Sequence, residues 1–236
     1  MITEQKNKEL GNLPPIEFSV DTDFCSVPDP LPRQSAHILF IGPPKSGKTS
    51  LMLQWLLNKK PRLYRKVFDN VIIVSPTQSL ASIKGTPFED HDPTKMFTDL
   101  DQETMCAILD NIKDAASEEF NTLLVVDDQT AHLKDNDVQK LYQELAYNRR
   151  HYRCTIWCVA QVYNKIPLPV RKSATHIVVF KTPIQEFDAI TDEMLSMAKD
   201  LTRSLYQYVY TRPHEFLMIN IPEGALFRKY NQLHIS

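Results

Sequence analysis

The chain is short of cysteine, of glycine and of net charge, and each shortage excludes something. Its four cysteines, Cys25, Cys106, Cys154 and Cys158, are too few and too scattered for a disulfide framework. Cys154 and Cys158 fall in one expected strand, where four residues span roughly 13 Å, too far for a bridge or a shared metal. No apolar run approaches the ~20 residues that cross a bilayer, and the first eight residues lack a signal-peptide core. A reduced, intracellular protein with no membrane-spanning segment is the expectation. The formal net charge of −2 removes any global sign of nucleic-acid binding, so such a role would rest on local patches. Two patches exist. Lys59, Lys60, Arg62, Arg65 and Lys66 follow an expected helix, where cations also suit the helix dipole. Arg149, Arg150, His151 and Arg153 precede an expected strand. There is no internal repeat and no low-complexity tract.

Glycine is scarce too, at five residues, yet two of them, Gly42 and Gly47, stand five positions apart in one motif. Residues 38 to 50 read Ile-Leu-Phe-Ile-Gly-Pro-Pro-Lys-Ser-Gly-Lys-Thr-Ser, an apolar run leading into Gly-x-x-x-x-Gly-Lys-Thr. This is the Walker A phosphate loop, placed behind an expected strand and ahead of an expected helix, as its mechanics require. Gly42 and Gly47 let the backbone turn its N–H groups toward phosphate oxygens, reinforced by the N-terminal dipole of the helix. Lys48 reaches the β- and γ-phosphates, and Thr49 offers a hydroxyl to Mg²⁺. The candidate ATP-binding set is Gly42, Pro43, Pro44, Lys45, Ser46, Gly47, Lys48, Thr49 and Ser50.

At 236 residues and 42% hydrophobic content, one α/β domain is expected. Residues 1–35 are polar and proline-rich and read as an N-terminal arm or wrapping segment, with the ATPase domain at 36–236. Strands are expected at His37–Ile41, Val71–Val74, Thr122–Val126, Thr155–Val159 and Ile177–Phe180. Helices are expected at Gly47 to Asn58, around Met105–Ile112, across Val138–Leu145 and near Glu193–Leu201. Residues 76–101 form a long segment without a period. Short, continuously apolar strands separated by helices indicate a three-layer fold with a mostly parallel sheet. Tyr206–Thr211, Glu215–Ile221 and Ala225–Tyr230 read as antiparallel strands added at the C-terminal edge.

The third expected strand runs Leu123-Leu124-Val125-Val126 into Asp127-Asp128. Beside a phosphate loop this is a Walker B pattern, with Asp127 on the Mg²⁺ shell with Thr49, and Asp128 placed to polarise a water. Asp128 is one methylene shorter than the Glu many such ATPases carry there, and Glu144 is the next candidate base. The fourth expected strand ends in Ala160-Gln161, and a polar amide at a strand's carboxyl tip is where a γ-phosphate sensor belongs. That order fits the ATPase division in which the fourth strand inserts between the first and third. GTPase and kinase patterns are missing. Asn164-Lys165-Ile166-Pro167 lacks the Asp that reads guanine, and the segment 76–101 has only Lys84 and Lys95 where a kinase lid would be arginine-rich.

One stretch is more specific. Arg149-Arg150-His151-Tyr152 leads into the strand ending Ala160-Gln161. Next come Ile166-Pro167-Leu168-Pro169-Val170-Arg171-Lys172-Ser173-Ala174 and the strand ending Phe180-Lys181. Over residues 36 to 182 the chain resembles the poxvirus-type DNA-packaging ATPases of large DNA viruses and virophages, a branch of the HerA/FtsK superfamily. The resemblance implies an ATP- and Mg²⁺-dependent double-stranded DNA translocase that works as a homo-oligomeric ring, a hexamer or a pentamer. It implies capsid portal or vertex proteins as partners, and the host cytoplasm at the virus factory, or the virion, as the place of action. It also implies an arginine supplied to the neighbouring subunit's ATP, with Arg150 at the matching position and Arg149 and Arg171 as competitors. DNA phosphates would meet Lys165 and Lys172, with Lys84 and Lys95 next. The alternative is a non-translocating phosphate-loop NTPase or nucleotide kinase.

Overall fold

The computed structural model describes residues 23–76 and 91–234, and Lys84 lies outside them. Strand β1 (His37–Ile41) enters the phosphate loop and helix α1 (Lys48–Leu57), followed by β2 (Asn70–Val74). A two-residue edge strand, β3 (Met96–Phe97), precedes α2 (Gln102–Ser117), β4 (Thr122–Asp127) and α3 (Asn136–Asn148). Then come β5 (Cys154–Ala160), the short α4 (Leu168–Lys172), β6 (His176–Phe180), α5 (Ile184–Leu195) and α6 (Lys199–Val209). The strands β7 (Phe216–Asn220), β8 (Ala225–Arg228) and β9 (Asn231–Leu233) close the chain.

Among the described residues one sheet of nine strands runs β3-β2-β4-β5-β1-β6-β7-β8-β9. Pairing is parallel from β3 to β6 and antiparallel from β6 to β9. As expected, β5 inserts between β1 and β4, so the carboxyl ends of the Walker strands and of the Gln161 strand are neighbours. Every residue of β1, β4, β5 and β6 is buried, as a sheet covered on both faces demands.

Alternation along β1 separates the two layers. Leu39 and Ile41 face the side packed by Met105 and Ile108 of α2, Tyr142 and Leu145 of α3, Phe187 of α5 and Leu205 of α6. Ile38 and Phe40 face the side carrying Met52 and Trp55 of α1. Phe24, Val27 and Leu31 are buried on that second side, and Tyr64 Oη donates to the Pro32 carbonyl at 2.7 Å. One helix cannot cover this width of sheet alone, and the proline-rich segment completes the layer. Cys154 and Cys158 are buried core residues, and burial pushes the Cys158 thiol up to about 12. No described helix is long and apolar enough to cross a membrane.

The C-terminal third differs from expectation. Residues Tyr206–Val209 belong to α6, and the strand expected at Tyr206–Thr211 does not form. The alternating tyrosines of this stretch favour a strand, but Thr202, Leu205 and Val209 make a buried helical stripe. Tyr206 and Tyr210 close on Phe187 of α5 at ring distances of 5.2 and 5.7 Å. Packing against a neighbouring helix outweighs the β preference of the aromatics. The helix expected near Glu193–Leu201 is interrupted there instead. Ser196 takes a left-handed conformation (φ 50°) and its N–H caps α5 on Asp192 O, before α6 starts at Lys199.

Candidate active site

The phosphate loop leaves β1 at the carboxyl edge of the sheet. A Cβ on Gly42 would stand 2.8 Å from Phe180 Cβ and 2.9 Å from Ser46 Oγ, so no larger residue fits. Gly47 takes φ 109°, a conformation closed to L side chains, and is the N-cap of α1. It offers no side-chain cap, and the first turn of α1 holds no acidic residue. The N–H groups of that turn therefore face a site with no carboxylate of their own helix in it, a setting suited to an anion. Ser46 Oγ is buried without a hydrogen-bond partner among the described residues, and phosphate oxygens would accept from it.

Lys48 is 8% exposed, and its Nζ donates to the carbonyls of Gly42 (2.5 Å) and Pro43 (3.0 Å). Burial lowers its pKa, opposed by the charges of Asp127 and Asp128. The cation and both acids thus share one electrostatic site. Asp127, 5% exposed at the tip of β4, accepts from Ser75 Oγ at 3.1 Å. Asp128 turns off the strand in a left-handed conformation (φ 53°), which Asp tolerates, and its carboxylate is exposed. Gln161, just past β5, donates from Nε2 to Asp128 Oδ2 at 3.0 Å. The Gln161 amide and the Asp128 carboxylate are therefore one hydrogen-bonded unit. Thr49 and Ser50 lie on the first turn of α1.

Three contributors were not anticipated. Ser75 carried a readable signal, a polar residue at the carboxyl tip of an apolar strand, the same signal that marked Gln161. Gln129, buried beside the acids, donates to Thr98 O at 2.9 Å and accepts from Leu100 N at 3.3 Å, tying the tip of β4 to the segment entering α2. His214 comes from the loop before β7 and donates through Nδ1 to Ser46 O at 2.9 Å. Nothing local marks it. Glu144, the reserve base, has its carboxylate on Lys113 Nζ at 2.9 Å, between α3 and α2.

The arginines lie elsewhere. Arg150 precedes β5, whose seven residues span about 23 Å, so it sits at the opposite edge of the sheet from the phosphate loop. It is exposed and borders a cleft of about 910 Å³ with Arg33, Arg149 and His176. Arg149 donates to Ser35 O (3.3 Å) and Ala146 O (2.9 Å). Arg171 pairs with Glu193 at 3.2 Å, donates to Asn164 at 3.1 Å and stacks 4.6 Å from the Tyr163 ring. Of the three, only Arg150 is exposed. Lys165 is exposed just beyond β5, while Lys172 Nζ donates to Glu193 O at 3.3 Å.

The geometry separates binding from chemistry. Asp128→Asn is expected to bind ATP and stall, because an amide does not take the proton of an attacking water. Gln161→Ala is expected to slow turnover by about 10²-fold with ATP affinity retained. Nucleotide affinity and single-turnover hydrolysis check both; normal hydrolysis by the Asp128 variant would move the base elsewhere.

Comparison with known proteins adds the following. The family model described as Poxvirus A32 protein matches residues 28–231. No curated protein matches the chain. Among solved structures, the chain is similar to the genome packaging NTPase B204 of Sulfolobus turreted icosahedral virus 2 in complex with sulfate. The identity there is 16%, over 86% of this chain and 98% of that one, with a TM-score of 0.62. The same protein in complex with ATP-gammaS gives 15%, 84%, 98% and 0.59. EssC (ATPases 2 and 3) from Geobacillus thermodenitrificans gives 12% identity over 84% of this chain and 39% of that one, with a TM-score of 0.54. These likenesses establish the fold as that of phosphate-loop NTPases.

Proposed function

The chain belongs to the poxvirus A32 protein family, and from that premise we propose that it is an Mg²⁺-dependent ATPase that moves double-stranded DNA into a viral capsid. The observation that carries this reading is the meeting of Lys48, Asp127, Asp128 and Gln161 at the tips of three adjacent strands. Lys48 would release its two loop carbonyls and hold the β- and γ-phosphates, while the first turn of α1 and Ser46 Oγ take the remaining oxygens. Asp127 and Thr49 supply hard oxygen ligands, the donor set Mg²⁺ prefers beside phosphates, and the ion would neutralise charge on the β- and γ-oxygens. Ser75 fixes one Asp127 oxygen. Asp128 takes the proton of the attacking water, and Gln161, already on that carboxylate, registers whether the γ-phosphate is present.

In this reading the active form is a ring, a hexamer or pentamer, docked at a capsid portal or vertex in the host cytoplasm or virion. The resemblance carried by Arg150 supports a ring, because that residue stands too far from its own phosphate loop to serve it. DNA contact falls on phosphates, since a motor must move along any sequence. The test is ATP turnover by the full chain with and without duplex DNA across a salt series. Turnover is expected to rise with DNA of any sequence and to lose the stimulation as salt increases. No stimulation at low salt, with phosphoryl transfer to a nucleoside monophosphate instead, would make it a nucleotide kinase.

A further inference from the structure

The acids and Gln161 occupy only one side of the phosphate loop. They stand at the tips of β4 and β5, on one flank of β1, while β6, β7 and β8 lie on the other. On that second flank a cleft of about 740 Å³ opens from the first turn of α1 toward the C-terminal strands. A triphosphate with its γ end beside the acids leaves its nucleoside end pointing into this cleft, whose volume is ample for a nucleoside. Resting on the nucleotide reading above, we infer that the cleft is a purine pocket, with Tyr230 as its stacking wall and Gln54 as the group that reads the base edge.

Tyr230 sits in the turn between β8 and β9, 41% exposed and lining the cleft. Its hydroxyl accepts from the indole N–H of the buried Trp55 at 2.9 Å, and Phe216 packs against it at 5.7 Å, near perpendicular. The ring is thus fixed from α1 and from β7, and it offers a preorganised surface to a base. A bicyclic purine overlaps such a surface better than a pyrimidine. Gln54 lies one turn beyond Ser50 on α1, exposed, on the face that starts with the phosphate-binding turn. A carboxamide offers one donor and one acceptor, matching the N7 acceptor and N6 amino donor of adenine. Guanine presents two acceptors there and leaves the carboxamide oxygen facing one of them. His214, bonded to Ser46 O, and Phe180 complete the wall nearest the loop and hold its distance from the phosphates.

The experiment is titration calorimetry of the full chain, in Mg²⁺, with ATP, GTP, CTP and inorganic tripolyphosphate. The wild type is expected to bind ATP at least tenfold tighter than tripolyphosphate, in the order ATP, GTP, CTP. Tyr230→Ala is expected to weaken ATP and GTP about tenfold or more while tripolyphosphate binds as before. Gln54→Leu is expected to bring ATP and GTP to parity, again with tripolyphosphate unchanged. If Tyr230→Ala does not fold, Gln54→Leu on its exposed face decides: parity supports the pocket and an unchanged preference overturns it. A wild type that binds tripolyphosphate as tightly as ATP removes the pocket and leaves the phosphate loop standing. Loss of all binding, tripolyphosphate included, removes both.

Discussion

Changing Lys48 to Ala is expected to lower ATP turnover by on the order of a thousandfold and to weaken ATP binding. The size follows from what surrounds the ammonium. It is buried at the mouth of α1, it feels the charges of Asp127 and Asp128, and its hydrogen bonds go to two carbonyls of the loop itself. Without it, a triphosphate meets two carboxylates and two carbonyl oxygens with no positioned side-chain cation between them. Removing one preorganised donor from developing charge typically costs 10²–10³ in rate, about 3–4 kcal/mol, and here the donor is charged. Burial lowers the pKa of Lys48, so its charged form is held at a cost to the fold, and the variant is expected to melt within a few degrees of the wild type. Steady-state turnover, ATP affinity and thermal melting on the same preparation check this. Wild-type turnover in a folded Lys48 variant would end the enzymatic reading.

The second large effect belongs to Arg150. Its separation from the phosphate loop, the length of β5, excludes action on its own nucleotide, so any catalytic role runs across a subunit boundary. Arg150→Ala is then expected to bind ATP normally and to lose about 10³-fold or more in turnover, the scale of an arginine supplied in trans. Mixing Arg150→Ala with Lys48→Ala protein is expected to restore part of the activity. In a mixed ring some interfaces join an intact phosphate loop on one subunit to an intact arginine on the next. A mixture as inactive as its parts, in a preparation shown to exchange subunits, would rule the arrangement out. Arg149 and Arg171 serve as controls, because their hydrogen bonds to Ser35 and Ala146, and to Asn164 and Glu193, are structural. Replacing them should lower thermal stability before it touches catalysis.

Much of this site could be read along the chain because its parts are contiguous. The loop from Gly42 to Thr49 carries its own geometry. The runs Ile38–Ile41 and Leu123–Val126 announce their strands as unbroken apolar stretches, and Asp127 and Gln161 stand where such runs end. The insertion of β5 between β1 and β4 followed from the order of elements. The C-terminal third carries weaker local signals. Residues Tyr206–Val209 alternate like a strand and fold as a helix, because their partners are Phe187 and the rest of α5.

The sequence by itself determined where the phosphate-loop motif stands, which strand tips carry acids and that one parallel sheet presents them together. Such features depend on backbone preference and on hydrophobic periodicity within a dozen residues. Only the tertiary structure decided what each functional group touches. Ser75 meets Asp127 across 52 positions, Gln161 meets Asp128 across 33, His214 meets Ser46 across 168 and Tyr230 meets Trp55 across 175. A hydrogen bond between groups so far apart in the chain leaves no period and no local preference. It forms only after the sheet has fixed its strand order and register, and packing has set both partners within 3 Å or so of one another.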